Sequence, residues 1–388
     1  MKILIISLIL LSFFSVISLA SDIEMGGYYE PQITSAFLKG DSYILFSNKI
    51  RVDLSAERND NLIFRANFDF ITYHGKTSWN ILDFIPGKIA NSVNTVLQPA
   101  FIYEYRDTVF LDNAYAKLSF SAFDLTVGKQ QVSFGTGYTW NPTDLFNFKN
   151  SFDPTYEQPG HNSLRLDITL SEKYNASAIY FPEDDWSVSG KLLRFEGNLS
   201  HFDYSLIYAE KQWTYVDFIS LRDINEKRKL FGGDFVGELF GLGVWGECGY
   251  NDMELGNNFY EALIGLDYTL KSGFYWMAEY YYNGFAKKDY RQYDINDWSR
   301  YILMQSKSIG RDNLSIYSDY PLTDLIDLEN SVIICLSDNS IVFVPSIRYN
   351  IDEDVDLTVI LNKFFGKDGT SYFETQGSGA TVRLRVYF

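Results

Sequence analysis

Lys49, Arg51 and Asp53 stand two residues apart, as do Arg165 and Asp167, and Arg383 and Arg385. In an extended strand such residues share one face, while Ile50 and Val52, Leu164 and Leu166, or Val382 and Leu384 share the other. Rows of fixed charge on a sheet act at a distance, attracting, repelling and orienting ions and dipoles. Residue types for covalent chemistry are sparse by comparison. The histidines are His74, His161 and His201. No serine motif completes a triad with them, and no repeated histidine or carboxylate spacing suggests a metal site. The sequence therefore predicts no catalytic residue, metal or cofactor, and the chain does not read as an enzyme. One stretch, 137–161, suits recognition. It gathers Trp140, Asn141, Asp144, Phe146, Asn147, Asp153 and Tyr156. Aromatic faces stack on sugar rings and amides hydrogen-bond their hydroxyls, although an ordinary surface loop has the same composition.

The bulk numbers narrow the class. Formal net charge is −17 over 388 residues, which excludes nucleic acid as a natural partner. Tyr (29), Phe (31) and Trp (7) make up 17% of the chain, yet mean hydropathy is −0.14. Many aromatics without net hydrophobicity fit a sheet that is apolar on one face and wet on the other. Two cysteines, Cys248 and Cys335, are fewer than an exported disulfide protein usually carries, and both read as buried or lipid-facing thiols.

Positioning these residues requires strands. Met1-Lys2, an apolar run from Ile3 to Val16, and Ser18-Leu19-Ala20 predict a secretory signal peptide over 1–20, leaving 21–388. No later apolar run is long enough for a membrane helix. Instead, segments with period-two alternation recur between turn residues, from 24–34, 43–57 and 61–74 to 340–351, 355–366 and 378–388. Eighteen can be counted. Short turns such as Glu172-Lys173 and Phe240-Gly241 alternate with long loops at 75–110, 137–161, 213–228, 284–309 and 367–377. This predicts an all-β chain forming a single closed antiparallel transmembrane β-barrel of about eighteen strands, or sixteen if one hairpin is miscounted. Pro31 and Pro345 are awkward in it, because each removes a ladder donor and a closed sheet has no edge.

The last segment carries the membrane signal. Val382, Leu384, Val386 and Phe388 form one stripe, and the chain ends on an aromatic residue. The ending resembles the C-terminal signal of Gram-negative outer-membrane barrels. Leu111 to Tyr115 (LDNAY), Leu125 to Gly135 (LTVGKQQVSFG) and Asn141 to Asn147 (NPTDLFN) also resemble porin-like outer-membrane barrels, the alginate-export barrels and relatives among them. Asn362 to Gly366 (NKFFG) fits the same group. Phe134 stands where that pattern has Trp, and Phe148 where it has Pro. The resemblance implies an eighteen-stranded barrel that passes a solute.

With the apolar register turned to lipid, the other register faces a lumen. A basic wall is expected from Lys49, Arg51, Arg65, Lys117, Arg165, Arg348, Arg383 and Arg385, which gather near the closing seam. An acidic wall is expected opposite, from Asp234, Glu238, Glu247, Glu261, Asp267 and Glu279. Two such walls would orient charged solutes. Pairing of neighbours, such as Arg51 with Asp53 or Arg65 with Asp69, would instead only satisfy a polar interior. The sequence thus reads as an outer-membrane, porin-like channel for small hydrophilic solutes or oligosaccharides, narrowed by 137–161. A non-conducting barrel that binds polysaccharide or a partner at its outer face is the alternative, and a secreted β-sandwich lectin a more distant one. Expected partners are outer-membrane lipid and lipopolysaccharide, the barrel-assembly machinery through the Phe388 strand, and the solute.

Overall fold

Along β2 (Asp41–Asn59), Ile44, Phe46 and Ile50 are exposed while Arg51 is buried. Apolar outside and charged inside is the reverse of a water-soluble sheet, and it recurs strand after strand. Leu193, Leu206, Phe231, Ile264, Ile347 and Val382 are all exposed. Covering one such side chain stabilises by about 1.5–3 kcal/mol, so an exterior built of them belongs against lipid.

The structure is a computed structural model that describes residues 22–38, 40–59, 61–150, 152–153 and 157–388. The expected signal peptide and Tyr156 lie outside the described residues. The strands are β1 (Asp22–Leu38), β2, β3 (Leu62–Gly75), β4 (Ser78–Asn80), β5 (Ile102–Glu104), β6 (Thr108–Ser119), β7 (Phe123–Gln130), β8 (His161–Ser171), β9 (Tyr174–Phe181) and β10 (Gly190–Leu199). Then follow β11 (Phe202–Asp217), β12 (Arg222–Leu239), β13 (Leu242–Met253), β14 (Phe259–Thr269), β15 (Tyr275–Asn283), β16 (Asp312–Thr323), β17 (Ile326–Cys335), β18 (Ser340–Asp352), β19 (Val355–Phe365) and β20 (Ser378–Tyr387). Apart from the small β4–β5 hairpin, all belong to one eighteen-stranded sheet of sequential antiparallel neighbours. β20 pairs back onto β1 from Phe37–Ser378 to Tyr28–Tyr387, and Gly27 and Phe388 exchange both backbone hydrogen bonds at 3.1 Å. The sheet is therefore closed, and its ladder groups find partners without water. Each of the eighteen alternating segments overlaps one of these strands, which removes the sixteen-stranded alternative.

Both prolines sit at gaps in the ladder. The β1–β20 register skips Pro31, passing from Tyr29–Val386 to Gln32–Arg383. The β18–β19 register skips Pro345, passing from Phe343–Lys363 to Ser346–Ile360. Two segment boundaries differ from the sequence reading. The expected loop 213–228 is mostly strand, because β11 and β12 stay paired to Asp217–Arg222 and only 218–221 turn. Beyond the membrane both faces of a hairpin are wet, so alternation fades while the ladder continues. β7 ends at Gln130, and the described residues between it and β8 enter the barrel.

The remaining long loops roof the end opposite the short turns. Leu82, Ile85, Ile89 and Phe101 from 76–107 pack with Tyr293, Ile295, Trp298 and Ile309 from 284–311, with Phe373 from 366–377 and with Phe218 at the β11–β12 tip. The helix Ile295–Ile302 is fixed there by an Asp294–Asp297 capping box and by Asn296, which donates to Asp217 at 2.6 Å. Loops 76–107 and 284–311 leave the sheet on opposite sides, so this small apolar core bridges the mouth.

Candidate functional site

The segment 131–160 can enter the lumen because of where its glycines fall. Gly135 has φ +90°, and a Cβ there would lie 2.6 Å from the Glu247 carboxylate. Only glycine lets the backbone approach so closely. Glu247 on β13 then accepts from Gly137 N at 2.5 Å and from Thr143 N and Oγ1 at 3.2 and 2.9 Å. Glu279 on β15 accepts from Tyr138 N at 2.7 Å, Thr139 N at 2.9 Å, Trp140 N at 3.2 Å and the Trp245 indole N–H at 2.9 Å. Successive N–H groups converging on an anion form a nest. Charge-assisted bonds of this kind offset the cost of burying the carboxylates.

The segment folds back on itself and then crosses the barrel. Asp144 accepts from Phe134 N, Phe146 N and Asn147 N at 2.8–3.2 Å. Val132, Phe134, Leu145 and Phe146 pack on Ile179, Leu192, Ile207 and Leu230 of the wall. Beyond this, Phe152 meets Phe364 and Tyr372, and Asp153 pairs with Arg383 at 2.6 Å. Glu157 accepts from Lys49 at 3.0 Å and the Tyr28 hydroxyl at 2.9 Å, with Arg51 at 3.4 Å and Arg385 at 3.6 Å. Burial pushes the Glu157 carboxyl up, but Lys49, Tyr28 and Arg51 outweigh it and hold it below the usual range. The segment is thus pinned to an acidic wall at one end and a basic wall at the other.

Two cavities flank it. One of about 210 Å³ lies toward the roofing loops, lined by Trp140, Asn141, Phe148, Lys149, Tyr301 and Lys307 among others. One of about 320 Å³ lies toward the short turns, lined by Tyr138, Tyr275, Met277, Tyr317, Ser331 and Ser346 among others. Thr139 and Asn150 line both, so these two residues stand between the cavities.

The expected wall residues do not form two bare walls. Lys49, Arg51, Arg383 and Arg385 converge, but they hold Asp53, Asp69, Asp112 and Glu30 as well as the two loop carboxylates. Lys117 pairs with Asp124 at 2.8 Å, Arg165 with Asp167 at 2.8 Å, and Arg348 with Asp327 at 3.1 Å. Arg65 is exposed, opposite Ser55 and Tyr115, with no carboxylate within 4 Å among the described residues. Of the expected acidic wall, Glu247 and Glu279 lie behind the loop instead of facing open lumen. Glu261 is buried against Arg228 at 2.8 Å and Lys307 at 3.5 Å. Asp234 accepts from Ser205, and Asp267 from Tyr275 at 2.9 Å; Glu238 is exposed near the short-turn end of β12. His161 sits 2.8 Å from Asn147 Oδ1 and packs on Phe146 and Phe181. Cys248 and Cys335 are free thiols, the first exposed and the second buried. Sequence reasoning passed over Glu30, Asp112 and Glu157. Period-two parity could have flagged Glu30 beside Gln32, but nothing local marks Glu157.

Solved structures share this architecture. OccAB1 of Acinetobacter baumannii superimposes with a TM-score of 0.60 at 10% identity, covering 95% of this chain and 97% of that one. OccAB4 of the same organism gives 0.58 at 10% identity, covering 95% and 98%. The fold is that of porin-like outer-membrane barrels. OccAB3, at 0.53 and 10% identity, has the same extent. No family model matches the chain, and no curated protein matches it in sequence.

Proposed function

We propose that the protein is an outer-membrane channel through which small hydrophilic solutes diffuse, with residues 131–160 as its constriction. The observation that carries this reading is a closed barrel, apolar outside and charged inside, crossed by a loop anchored on both walls. Cavities on either side of that loop, with Thr139 and Asn150 between them, support a route past it. The apolar exterior supports outer-membrane lipid as its surroundings. Lipopolysaccharide contact, and recognition of the β20 strand by assembly machinery, are proposals of the same standing. An exporter of polyanions is disfavoured, because Arg51, Arg383 and Arg385 already hold carboxylates. Reconstitution into planar bilayers tests the channel. Discrete, ohmic current steps are expected; their absence from correctly folded protein would favour the non-conducting barrel, whose outer-face binding surface would be the roof of 76–107 and 284–311.

A further inference from the structure

The lining of the two cavities differs in kind from the rest of the lumen. Ion pairs crowd the walls elsewhere, yet among the described residues no Asp or Glu lines either cavity. The two lysines on the outer one are already engaged: Lys149 donates to the Gly137 carbonyl, and Lys307 pairs with Glu261 at 3.5 Å. What remains at the crossing is hydroxyl, amide and aromatic. Tyr138 is 56% exposed although it belongs to the pinned segment; its ring meets Trp245 edge-on at 5.0 Å and its hydroxyl lies beside that of Tyr275. Tyr275 and Tyr317 stand below it, and Phe148 and Tyr301 stand above the crossing. Asn141 lines the outer cavity, and its enclosed Oδ1 has no donor among the described residues.

We propose that the two cavities form a track for an uncharged sugar of one or two rings, which stacks on Tyr138 as it passes the loop beside Thr139 and Asn150. This rests on the channel reading above. A sugar ring offers an apolar C–H face and equatorial hydroxyls together, and this lining offers an aromatic face beside neutral hydrogen-bonding groups. Small-molecule sites usually enclose about 300–1,000 Å³, so cavities of about 210 and 320 Å³ suit a short sugar and not a coiled polymer.

The test is current through the reconstituted full-length protein with glucose, sucrose, sorbitol or glucuronate added. Each variant is normalised to its own open conductance. Glucose and sucrose are expected to interrupt the current; sorbitol, with hydroxyls but no ring, is not. Tyr138→Ala should shorten the interruptions roughly 2- to 10-fold, the worth of one aromatic contact, and Tyr138→Phe should restore them. Sorbitol equal to glucose, interruptions by glucuronate alone, or an unchanged Tyr138→Ala would each overturn the sugar track. A protein that carries no current overturns the channel reading instead. Quenching of its intrinsic fluorescence by glucose but not sorbitol, lost in Tyr138→Ala, then still decides the sugar site: quenching supports it and no quenching overturns it.

Discussion

Glu279 is fully buried, and three consecutive loop N–H groups point at its carboxylate. Glu279→Ala would leave those donors without an acceptor, at about 1–3 kcal/mol for each one that stays dry. The cheaper outcome is a loop that leaves the wall. Single-channel recordings should then show higher conductance and more open-state noise, with Glu279→Gln intermediate because it keeps one acceptor oxygen. Glu157 makes the opposite tether. Its carboxyl lies below the ordinary value of 4.5, so the ionised form favours the bound loop. A depressed group contributes fully above its unfolded value and loses its contribution as pH falls through the folded one. Current should therefore stay quiet at neutral pH and become unsteady only below pH 4.5, while Glu157→Gln should be unsteady at neutral pH already.

Among the elements, the roof and the barrel are stabilised by different means. The barrel closes through backbone ladders, whereas the roof depends on one apolar cluster around the buried Trp298, which meets Phe373 edge-on at 5.8 Å. Removing a buried Trp side chain costs about 3–5 kcal/mol, more than a few surface loops can absorb. In Trp298→Ala, protease should cut within 76–107 or 284–311 far faster than in the parent protein. The heat-dependent gel shift that reports a closed barrel should be unaltered. Loss of both together would mean that the roof and the barrel fold as one unit.

Over the whole molecule, charge is plentiful but mostly spent internally. The net charge of −17 does not become a strongly cation-selective pore if the luminal groups neutralise one another. Reversal potentials across a potassium chloride gradient should lie close to zero. Arg65, the one cation of the expected basic wall without a carboxylate partner within 4 Å among the described residues, is the substitution that should move them: Arg65→Gln should shift selectivity toward cations. Arg383→Gln should do less to selectivity and more to loop noise, since it removes the Arg383–Asp153 tether.

Alternation alone determined the class, the strand count and which side chains face inward, because a barrel wall between lipid and water imposes period two on every strand. Parity placed Arg51 and Arg383 on the inner face of a shared seam without any long-range information. It could not say what meets them there. Glu157 reaches Arg51 across 106 positions and Gly137 reaches Glu247 across 110, and such partners are set by how a non-repeating loop folds within a finished cylinder. The hairpin at 213–228 was illegible for a related reason, since a strand wet on both faces has no alternation to read. The two rows of charge were therefore visible in the sequence; that a single loop would lie between them and satisfy both was decided only by the closed barrel.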